Sequence, residues 1–306
     1  MEYDMAIIGS GCAGLAGAMY AGRLGLKVLV FGQLRGGTIT LTHLVENYPG
    51  FTSISGMELA EKLEAHARAQ PNVEIKDEAV SKITRNGSHF TVKSESGEYT
   101  AKTILYATGT EWKKLGVPGE KEFANKGVHY CALCDGSFYK GKEVAVIGGS
   151  DTALKDALVL IPLASKIYVI CRGESLRAEP INLERIKSEP KIEVIYGTNV
   201  LEIKGAKKVE GVTLDKPHNG SATLPLSAVF IAVGHLPLSQ IAKEAGVETD
   251  AKGHIKITRN AETNVPGFFA AGDVTDTRFK QAIISVGEAV SAVYSAYLHL
   301  ESKGKK

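Results

Sequence analysis

Short apolar runs alternate with a helical pattern at the start of the chain. Residues 3–8 and 27–31 have the length and composition that are typical of buried strands. Between them, residues 15–24 place small and apolar side chains at helical spacing. This order predicts a strand, a helix and a second strand, which together form one unit of a parallel sheet.

The same pattern occurs a second time in the middle of the chain. Strands are predicted at residues 143–147 and 166–170, with a helix at residues 154–163 between them. In each half, segments of alternating polar and apolar residues follow, around residues 73–107 and 192–233, and they predict hairpins. A repeat of about 125 residues is far longer than a solenoid period, so it indicates two similar domains.

The end of the chain contains no third turn of the nucleotide-binding type. A strand within residues 255–273 and a final apolar helix most simply complete the first domain. We therefore predict a discontinuous first domain, residues 1–114 and 239–306, with a second domain, residues 115–238, inserted into it. The predicted fold is α/β, with two Rossmann-like nucleotide-binding domains of three-layer ββα type, the second inserted into the first.

Glycines mark the turn from strand to helix in both units. In the first turn, Gly9, Gly11 and Gly14 form Gly-x-Gly-x-x-Gly, which allows a tight turn, close approach of a pyrophosphate and close helix packing. The helix N-terminus then faces the phosphates with free N–H groups. The second turn has Ser150 where the motif usually has glycine. Both turns predict dinucleotide sites, the second with a less close approach.

An acidic residue usually follows the second strand and binds the ribose hydroxyls. Residues 31–37 contain no carboxylate. Gln33 or backbone groups would therefore have to bind the ribose in the first domain.

The charge balance excludes several classes of partner. The 306 residues carry 36 basic and 34 acidic side chains, a net charge of +2, so neither nucleic acid nor an anionic membrane is expected as a partner. The N-terminus lacks the basic start and apolar run of a signal peptide, and no apolar stretch reaches the roughly 18 residues of a membrane helix. These features predict a cytoplasmic protein.

The cysteine spacing indicates the chemistry. Of four cysteines, only Cys131 and Cys134 are close in sequence, and such a pair serves redox exchange or forms half of a metal site. No second Cys-x-x-Cys and no His-x-x-x-His is available to complete a zinc site, so redox exchange is favoured and no metal is predicted. We interpret Cys12 and Cys171 as packing residues. His129 is interpreted as a partly exposed residue rather than as a base for the thiol.

Several motifs occur in the order seen in the low-molecular-weight thioredoxin reductases, which the chain resembles over essentially its whole length. They are Gly9-x-Gly11-x-x-Gly14, Val45-Glu46-Asn47-Tyr48-Pro49-Gly50, Ala107-Thr108-Gly109, Cys131-x-x-Cys134-Asp135-Gly136 and Ala270-Ala271-Gly272-Asp273. The resemblance implies an FAD-dependent thioredoxin-disulfide reductase. Electrons would pass from NADPH to FAD, then to the Cys131–Cys134 disulfide, and then to a thioredoxin or glutaredoxin-like protein. It also implies a homodimer.

The resemblance places FAD on the first domain. Asp273 matches the residue that hydrogen-bonds the ribityl chain, Asn47 matches a position beside the flavin ring, and residues 280–282 match the start of a helix aimed at that ring. The residues expected at the FAD site are Gly9, Gly11, Gly14, Gly37, Asn47, Gly109, Gly272, Asp273, Lys280, Gln281 and Ala282.

The resemblance also assigns roles in thiol exchange, which needs an attacking thiolate and an acid for the leaving sulfur. Cys134 matches the sulfur nearest the flavin, and Cys131 matches the sulfur that attacks the protein substrate. Asp135 matches the general acid or base, a role that requires partial burial.

The second domain is expected to bind the hydride donor. A 2′-phosphate needs basic residues after the second strand, and the family pattern His-Arg-Arg-x-x-x-Arg is matched here by Cys171-Arg172-Gly173-Glu174-Ser175-Leu176-Arg177. Two of the three arginines are present, and Lys155-Asp156 replaces the usual pair of glutamates. The residues expected at the NADPH site are Gly148, Asp151, Thr152, Arg172 and Arg177.

The weaker second site leaves alternatives open. Relatives that take electrons from ferredoxin or a deazaflavin have eroded second sites, and a dithiol oxidase would pass electrons to oxygen. A non-enzymatic flavin redox sensor is a more distant alternative, because it does not need the Cys-x-x-Cys-Asp sequence and the duplicated nucleotide fold.

Overall fold

The computed structural model describes residues 2–42 and 45–304. The chain forms two compact units, Met1–Glu111 with Leu236–Lys306, and Trp112–His235. In chain order the elements are β1 Glu2–Ile8, α1 Cys12–Arg23, β2 Val28–Phe31, α2 Gly56–Arg68, β3 Val73–Lys76, β4 Val80–Asn86, β5 His89–Ser94, β6 Gly97–Tyr106, β7 Thr110–Trp112, β8 Val128–His129, α3 Ala132–Asp135, β9 Glu143–Ile147, α4 Asp151–Leu160, β10 Lys166–Ile170, α5 Pro180–Ser188, β11 Ile192–Ile195, β12 Val200–Gly205, β13 Val209–His218, β14 Ser221–Pro225, β15 Ala228–Ile231, β16 His235–Pro237, α6 Gln240–Glu244, β17 Phe268–Ala270 and α7 Ala282–Gly304.

The first unit is built on a sheet in the order β3-β2-β1-β6-β5-β4, with β17 also paired to β6. Strands β1, β2, β3 and β17 run parallel to their neighbours, whereas β4 and β5 form an antiparallel meander with the first half of β6. One face of the parallel part packs against α1 and α7, and the other packs against the meander. These are the three layers that the fold class predicts.

The second unit repeats this arrangement. Its parallel sheet has the order β11-β10-β9-β15-β8, and β12, β13 and β14 form a separate antiparallel sheet. The antiparallel sheet packs on one face of the parallel sheet, and α3, α4 and α5 pack on the other. The glycine turns of the two units therefore open matching helices, α1 and α4.

Both segments that were predicted to form hairpins begin with a strand that pairs in parallel instead. Residues 73–76 form β3, which runs parallel to β2, and residues 192–195 form β11, which runs parallel to β10. The hairpin turns lie further along, at Gly87 with a φ of 62° and at Gly220 with a φ of 81°. The alternation is the same in both settings, because a strand at the edge of a parallel sheet also exposes one face to solvent.

Helix α7 is long and apolar enough to cross a membrane by length and composition alone, which is weak evidence. One face of it packs against α1 in the core of the first unit, where Ala289, Ala292, Val293 and Ala296 are fully buried. A core helix of this kind passes the same test of length and composition.

Candidate active site and nucleotide sites

The redox pair lies at the start of α3 in the second unit. Cys131 and Cys134 are joined by a disulfide, with 5.4 Å between their Cα atoms. Cys131 is the N-cap of α3, and its Sγ accepts a hydrogen bond of 3.1 Å from the amide of Cys134. An N–H aimed at this sulfur stabilises negative charge on it, so the local backbone favours a Cys131 thiolate once the disulfide is reduced.

The two sulfurs differ in access. Cys131 is 8% exposed, whereas Cys134 is exposed at the surface of the turn. Cys134 is therefore the more accessible residue of the pair in this structure. Their expected roles, Cys134 toward the flavin and Cys131 toward a protein substrate, stay predictions.

Asp135 contacts a buried histidine. Its Oδ2 lies 3.0 Å from Nδ1 of His129, but the geometry is not that of a hydrogen bond, and the two groups carry opposite charges only when the imidazole is protonated. The side chain of Asp135 is 29% exposed and that of His129 is 4% exposed. The interpretation of His129 as a partly exposed residue is therefore wrong: its ring is buried between Phe230 and Tyr139.

A second carboxyl lies behind α3. Asp156 on α4 accepts a hydrogen bond from the amide of Ala132, the residue between Cys131 and the rest of the turn. Burial raises the pKa of Asp156 to about 7, and the hydrogen bond only partly offsets this. In the sequence analysis, Lys155-Asp156 replaces a pair of glutamates that the family has at the second nucleotide site. In the structure, Asp156 contacts the redox turn at Ala132.

The first glycine turn is closely packed. Gly9 has a φ of +115°, and a Cβ there would lie 2.2 Å from the carbonyl oxygen of Ala107. A Cβ on Gly14 would lie 1.8 Å from the carbonyl oxygen of Gly9. Gly11 is the N-cap of α1, and no side chain caps this helix. Its first N–H groups are thus available to an anion such as a pyrophosphate.

Two further glycines predicted for the FAD site have a positive φ, which favours glycine, and one of them touches the first glycine turn. Gly37 has a φ of +70°, and a Cβ on it would lie 2.7 Å from the Cα of Gly11, so these two loops touch directly. Gly109, after β6, has a φ of +68° with open space around it.

The remaining residues predicted for the FAD site meet at the start of α7. Asn47 Nδ2 donates a 3.0 Å hydrogen bond to Gln281 Oε1, although the two residues are far apart in sequence. Lys280 Nζ donates to the carbonyl oxygen of Asp273, and Ser285 Oγ lies 3.4 Å from Asp273 Oδ1. Burial lowers the pKa of Lys280, against the opposing effect of Asp273.

Gly272 and Ala282 complete this cluster. Gly272 has a φ of +83° and donates its N–H to Glu288 Oε2 at 2.8 Å, so the loop before α7 is tied to the helix. Ala282 is the first residue of α7. Carbonyl, amide and ammonium groups together with a helix N-terminus form a polar surface that fits the ribityl chain and ring of a flavin.

The second glycine turn has the same form, but its first acidic residue is already engaged. A Cβ on Gly148 would lie 2.3 Å from the carbonyl oxygen of Ala232. Asp151 Oδ1 accepts hydrogen bonds from the amide of Glu179 and from Nδ2 of Asn182, so this carboxylate joins α4 to the start of α5. Thr152 is exposed next to it. The structure thus gives Asp151 a role in packing two helices.

Two arginines lie beside this turn. Arg172 is exposed just after β10, and the amide of Arg177 donates to the carbonyl oxygen of Gly149 at 2.7 Å. Neither guanidinium forms a salt bridge with any of the described residues. Both remain available for an anionic ligand such as a 2′-phosphate.

The other two cysteines are packing residues, as expected. Burial raises the pKa of the Cys12 thiol to about 12, so it stays protonated. Cys171 is buried, and a Cβ on Gly149 would lie 2.3 Å from its Sγ. Over residues 2–42 and 45–304, no group of three histidine, cysteine or acidic side chains could hold a metal ion.

Comparison with known proteins identifies the class. The chain belongs to the pyridine nucleotide-disulphide oxidoreductase family, whose profile matches residues 3–289. Within this class, it is 38% identical to the thioredoxin reductase of Treponema pallidum over 304 residues, which is 98% of each chain. It is also 38% identical to the thioredoxin reductase of Bacillus subtilis over 302 residues, 98% of this chain and 95% of that one.

A solved structure gives the same result. The thioredoxin reductase of Lactococcus lactis matches with a TM-score of 0.94 and 36% identity, covering 98% of this chain and 99% of that one. The resemblance to low-molecular-weight thioredoxin reductases and the two-domain Rossmann-like fold are both confirmed.

Proposed function

We propose that this protein is an FAD-dependent thioredoxin-disulfide reductase with NADPH as its electron donor. The observation that carries the proposal is the Cys131–Cys134 disulfide at the start of α3, followed directly by Asp135 and held in the same unit as a dinucleotide-type turn. Relatives of the same length are named thioredoxin reductases, which supports a thioredoxin-like protein as the substrate.

The residues of the first unit fit FAD. The uncapped N-terminus of α1 would hold the pyrophosphate, and Asp273, Gln281 and Asn47 would hold the ribityl chain and the ring. When bound, FAD would supply the transfer of two electrons from a hydride donor to the disulfide.

The residues of the redox turn then manage charge and protons. Two electrons break the S–S bond and leave two sulfurs that together take up two protons on full reduction to the dithiol. Cys134 is the exposed sulfur that receives the electrons, and the amide of Cys134 stabilises the thiolate on Cys131. Asp135 would donate or accept the proton at the adjacent sulfur. The dithiol then returns two electrons and two protons to the disulfide of the partner protein.

The donor is inferred from the second unit. Arg172 and Arg177 lie beside the glycine turn, and their guanidinium groups form no salt bridge within the described part of the chain, which favours NADPH over NADH. Location in the cytoplasm and assembly as a homodimer are proposed from the resemblance. Size-exclusion chromatography with light scattering tests the dimer, since a monomer at micromolar concentration would contradict it.

The test separates the two half-reactions. The purified yellow protein is titrated anaerobically with NADPH, NADH and reduced ferredoxin in turn, and flavin bleaching is followed. We expect bleaching by NADPH at the lowest concentration, followed by reduction of a thioredoxin disulfide. In the matched Cys134→Ser variant, NADPH still bleaches the flavin but thioredoxin is not reduced. Bleaching by ferredoxin alone, or full thioredoxin reduction by Cys134→Ser, would overturn the proposal.

A further inference from the structure

A buried histidine lies next to the redox turn and has no role in the proposed chemistry so far. His129 ends β8, two residues before Cys131, and is 4% exposed. Its ring stacks on Phe230 at 5.5 Å and meets the ring of Tyr139 edge-on at 5.3 Å. These contacts fix the plane of the imidazole, so the direction of both ring nitrogens is set by packing.

Both nitrogens of this ring have polar neighbours. Nε2 lies 2.7 Å from the hydroxyl of Tyr139, and Nδ1 lies 3.0 Å from Oδ2 of Asp135. Burial, together with the nearby carboxylate of Asp135, raises the pKa of Tyr139, so its hydroxyl keeps its proton. With the phenol as donor to Nε2, a neutral imidazole carries its hydrogen on Nδ1, facing the carboxylate.

The groups that face this pair come from three elements. Tyr139 and Asp135 lie on the turn itself, Phe230 on β15 brings no charge, and Asp156 on α4 reaches the amide of Ala132 behind the turn. Among the described residues no lysine or arginine is paired with Asp135. The imidazole is therefore the main group that orients this carboxylate.

We propose that His129 is a positioning residue for Asp135: its ring, fixed by Phe230 and Tyr139, holds the carboxylate beside the cysteine pair. The inference rests on the proposed role of Asp135 as the acid. Without the imidazole, the carboxylate loses the polar group that it contacts and turns away from the sulfurs.

The test uses a reaction that needs neither NADPH nor a protein partner. Dithiothreitol reduces the Cys131–Cys134 disulfide of the flavin-loaded protein: a thiolate of dithiothreitol attacks one sulfur, the S–S bond breaks, and the second sulfur of dithiothreitol displaces the first protein sulfur. Two electrons and two protons pass to the protein, and dithiothreitol leaves as its cyclic disulfide. Rates are followed by quenched alkylation and mass spectrometry across pH, and are divided by the thiolate fraction of dithiothreitol.

Four variants define the outcome. Asp135→Asn lowers the corrected rate about 100-fold on the plateau of the pH profile. His129→Phe keeps the ring packing but removes both nitrogens, and it lowers the same plateau about tenfold. His129→Asn retains a donor near the Nδ1 position and recovers most of the plateau. In the double variant His129→Phe with Asp135→Asn, the histidine change adds less than about twofold.

The cycle also separates positioning from packing. If the loss from His129→Phe persists undiminished in the Asp135→Asn background, or if His129→Asn does not recover the plateau, His129 acts through packing alone and the proposal is overturned. Thermal unfolding of each variant and the rescue by His129→Asn show whether the turn has kept its structure. Because NADPH and thioredoxin are absent from this assay, failure of the proposed function appears in the titration above and leaves this result intact.

Discussion

The raised pKa of Asp156 makes a signed prediction about stability. The folded protein holds this proton up to about pH 7, whereas an unfolded aspartate loses it at its ordinary value of 3.8. Between these values the folded state binds the proton and the unfolded state does not, so stability falls as pH rises and stays low above pH 7. The difference corresponds to about 4 kcal/mol as an upper limit, because relaxation and water lower the cost of a buried charge.

The perturbation is Asp156→Asn, which has nearly the same shape and can still accept the hydrogen bond from Ala132 through its amide oxygen. It does not titrate. We expect the variant to match the parent near pH 4 and to exceed it by up to about 4 kcal/mol at pH 8. Urea unfolding at several pH values measures this. Trp112, the single tryptophan, stacks on Tyr130 and reports on the second unit.

A control on the same helix has the opposite sign. Burial acts to raise the pKa of Asp151, but Lys155, Asn182 and the amide of Glu179 together lower it. Its stabilising contribution is present above the ordinary value of 3.8 and is lost as pH falls through the folded value. Asp151→Asn is therefore less stable than the parent at neutral pH. If the stability difference between Asp156→Asn and the parent does not vary with pH, the burial of this carboxyl is not what the structure indicates.

Two further predictions concern the nucleotide sites. Gly9→Ala places a Cβ 2.2 Å from the carbonyl oxygen of Ala107, so this variant should be obtained with at least about tenfold less flavin per chain. In Gly11→Ala the new Cβ lies 3.7 Å from its nearest neighbour, so this variant should fold and lose flavin affinity only. Equal flavin content in the two variants would refute this. The double variant Arg172→Ala with Arg177→Ala should raise the KM for NADPH about tenfold or more and leave the KM for NADH nearly unchanged. Both constants are measured by flavin reduction. An equal effect on both cofactors would show that these arginines do not bind the 2′-phosphate.

Local patterns in the sequence predict the parts of the fold that depend on local chemistry. The glycine turns at Gly9 and Gly148 could be read directly, because a strand, a glycine with positive φ and a helix follow each other within a few residues. Strands β3 and β11 could not be told from hairpin strands, because their pairing is with strands more than 20 residues earlier in the chain. Alternation shows that one face is exposed but does not show the direction of the neighbour.

The same distinction applies to the site. The redox pair and Asp135 are contiguous in the sequence, so their spacing carries the signal. His129 was misjudged because its burial depends on Phe230, which lies on a strand about 100 residues later. The hydrogen bond between Asn47 and Gln281 likewise joins the two chain segments of the first unit. A histidine within a two-residue strand offers no periodicity from which burial could be inferred.

Two carboxyl groups with different surroundings lie at the redox turn. Asp156 lies behind the turn, where burial keeps it protonated up to about pH 7. Asp135 lies at the partly exposed side, in contact with the imidazole of His129. The first amides of α3 are divided between Asp156 and a sulfur: the amide of Ala132 donates to Asp156, and the amide of Cys134 donates to Cys131 Sγ. A neutral Asp156 leaves the positive end of this turn to the Cys131 thiolate, while an ionised Asp156 competes with it for the same dipole. The amides of one short turn thereby couple the proton on Asp156 to the charge on the Cys131 sulfur.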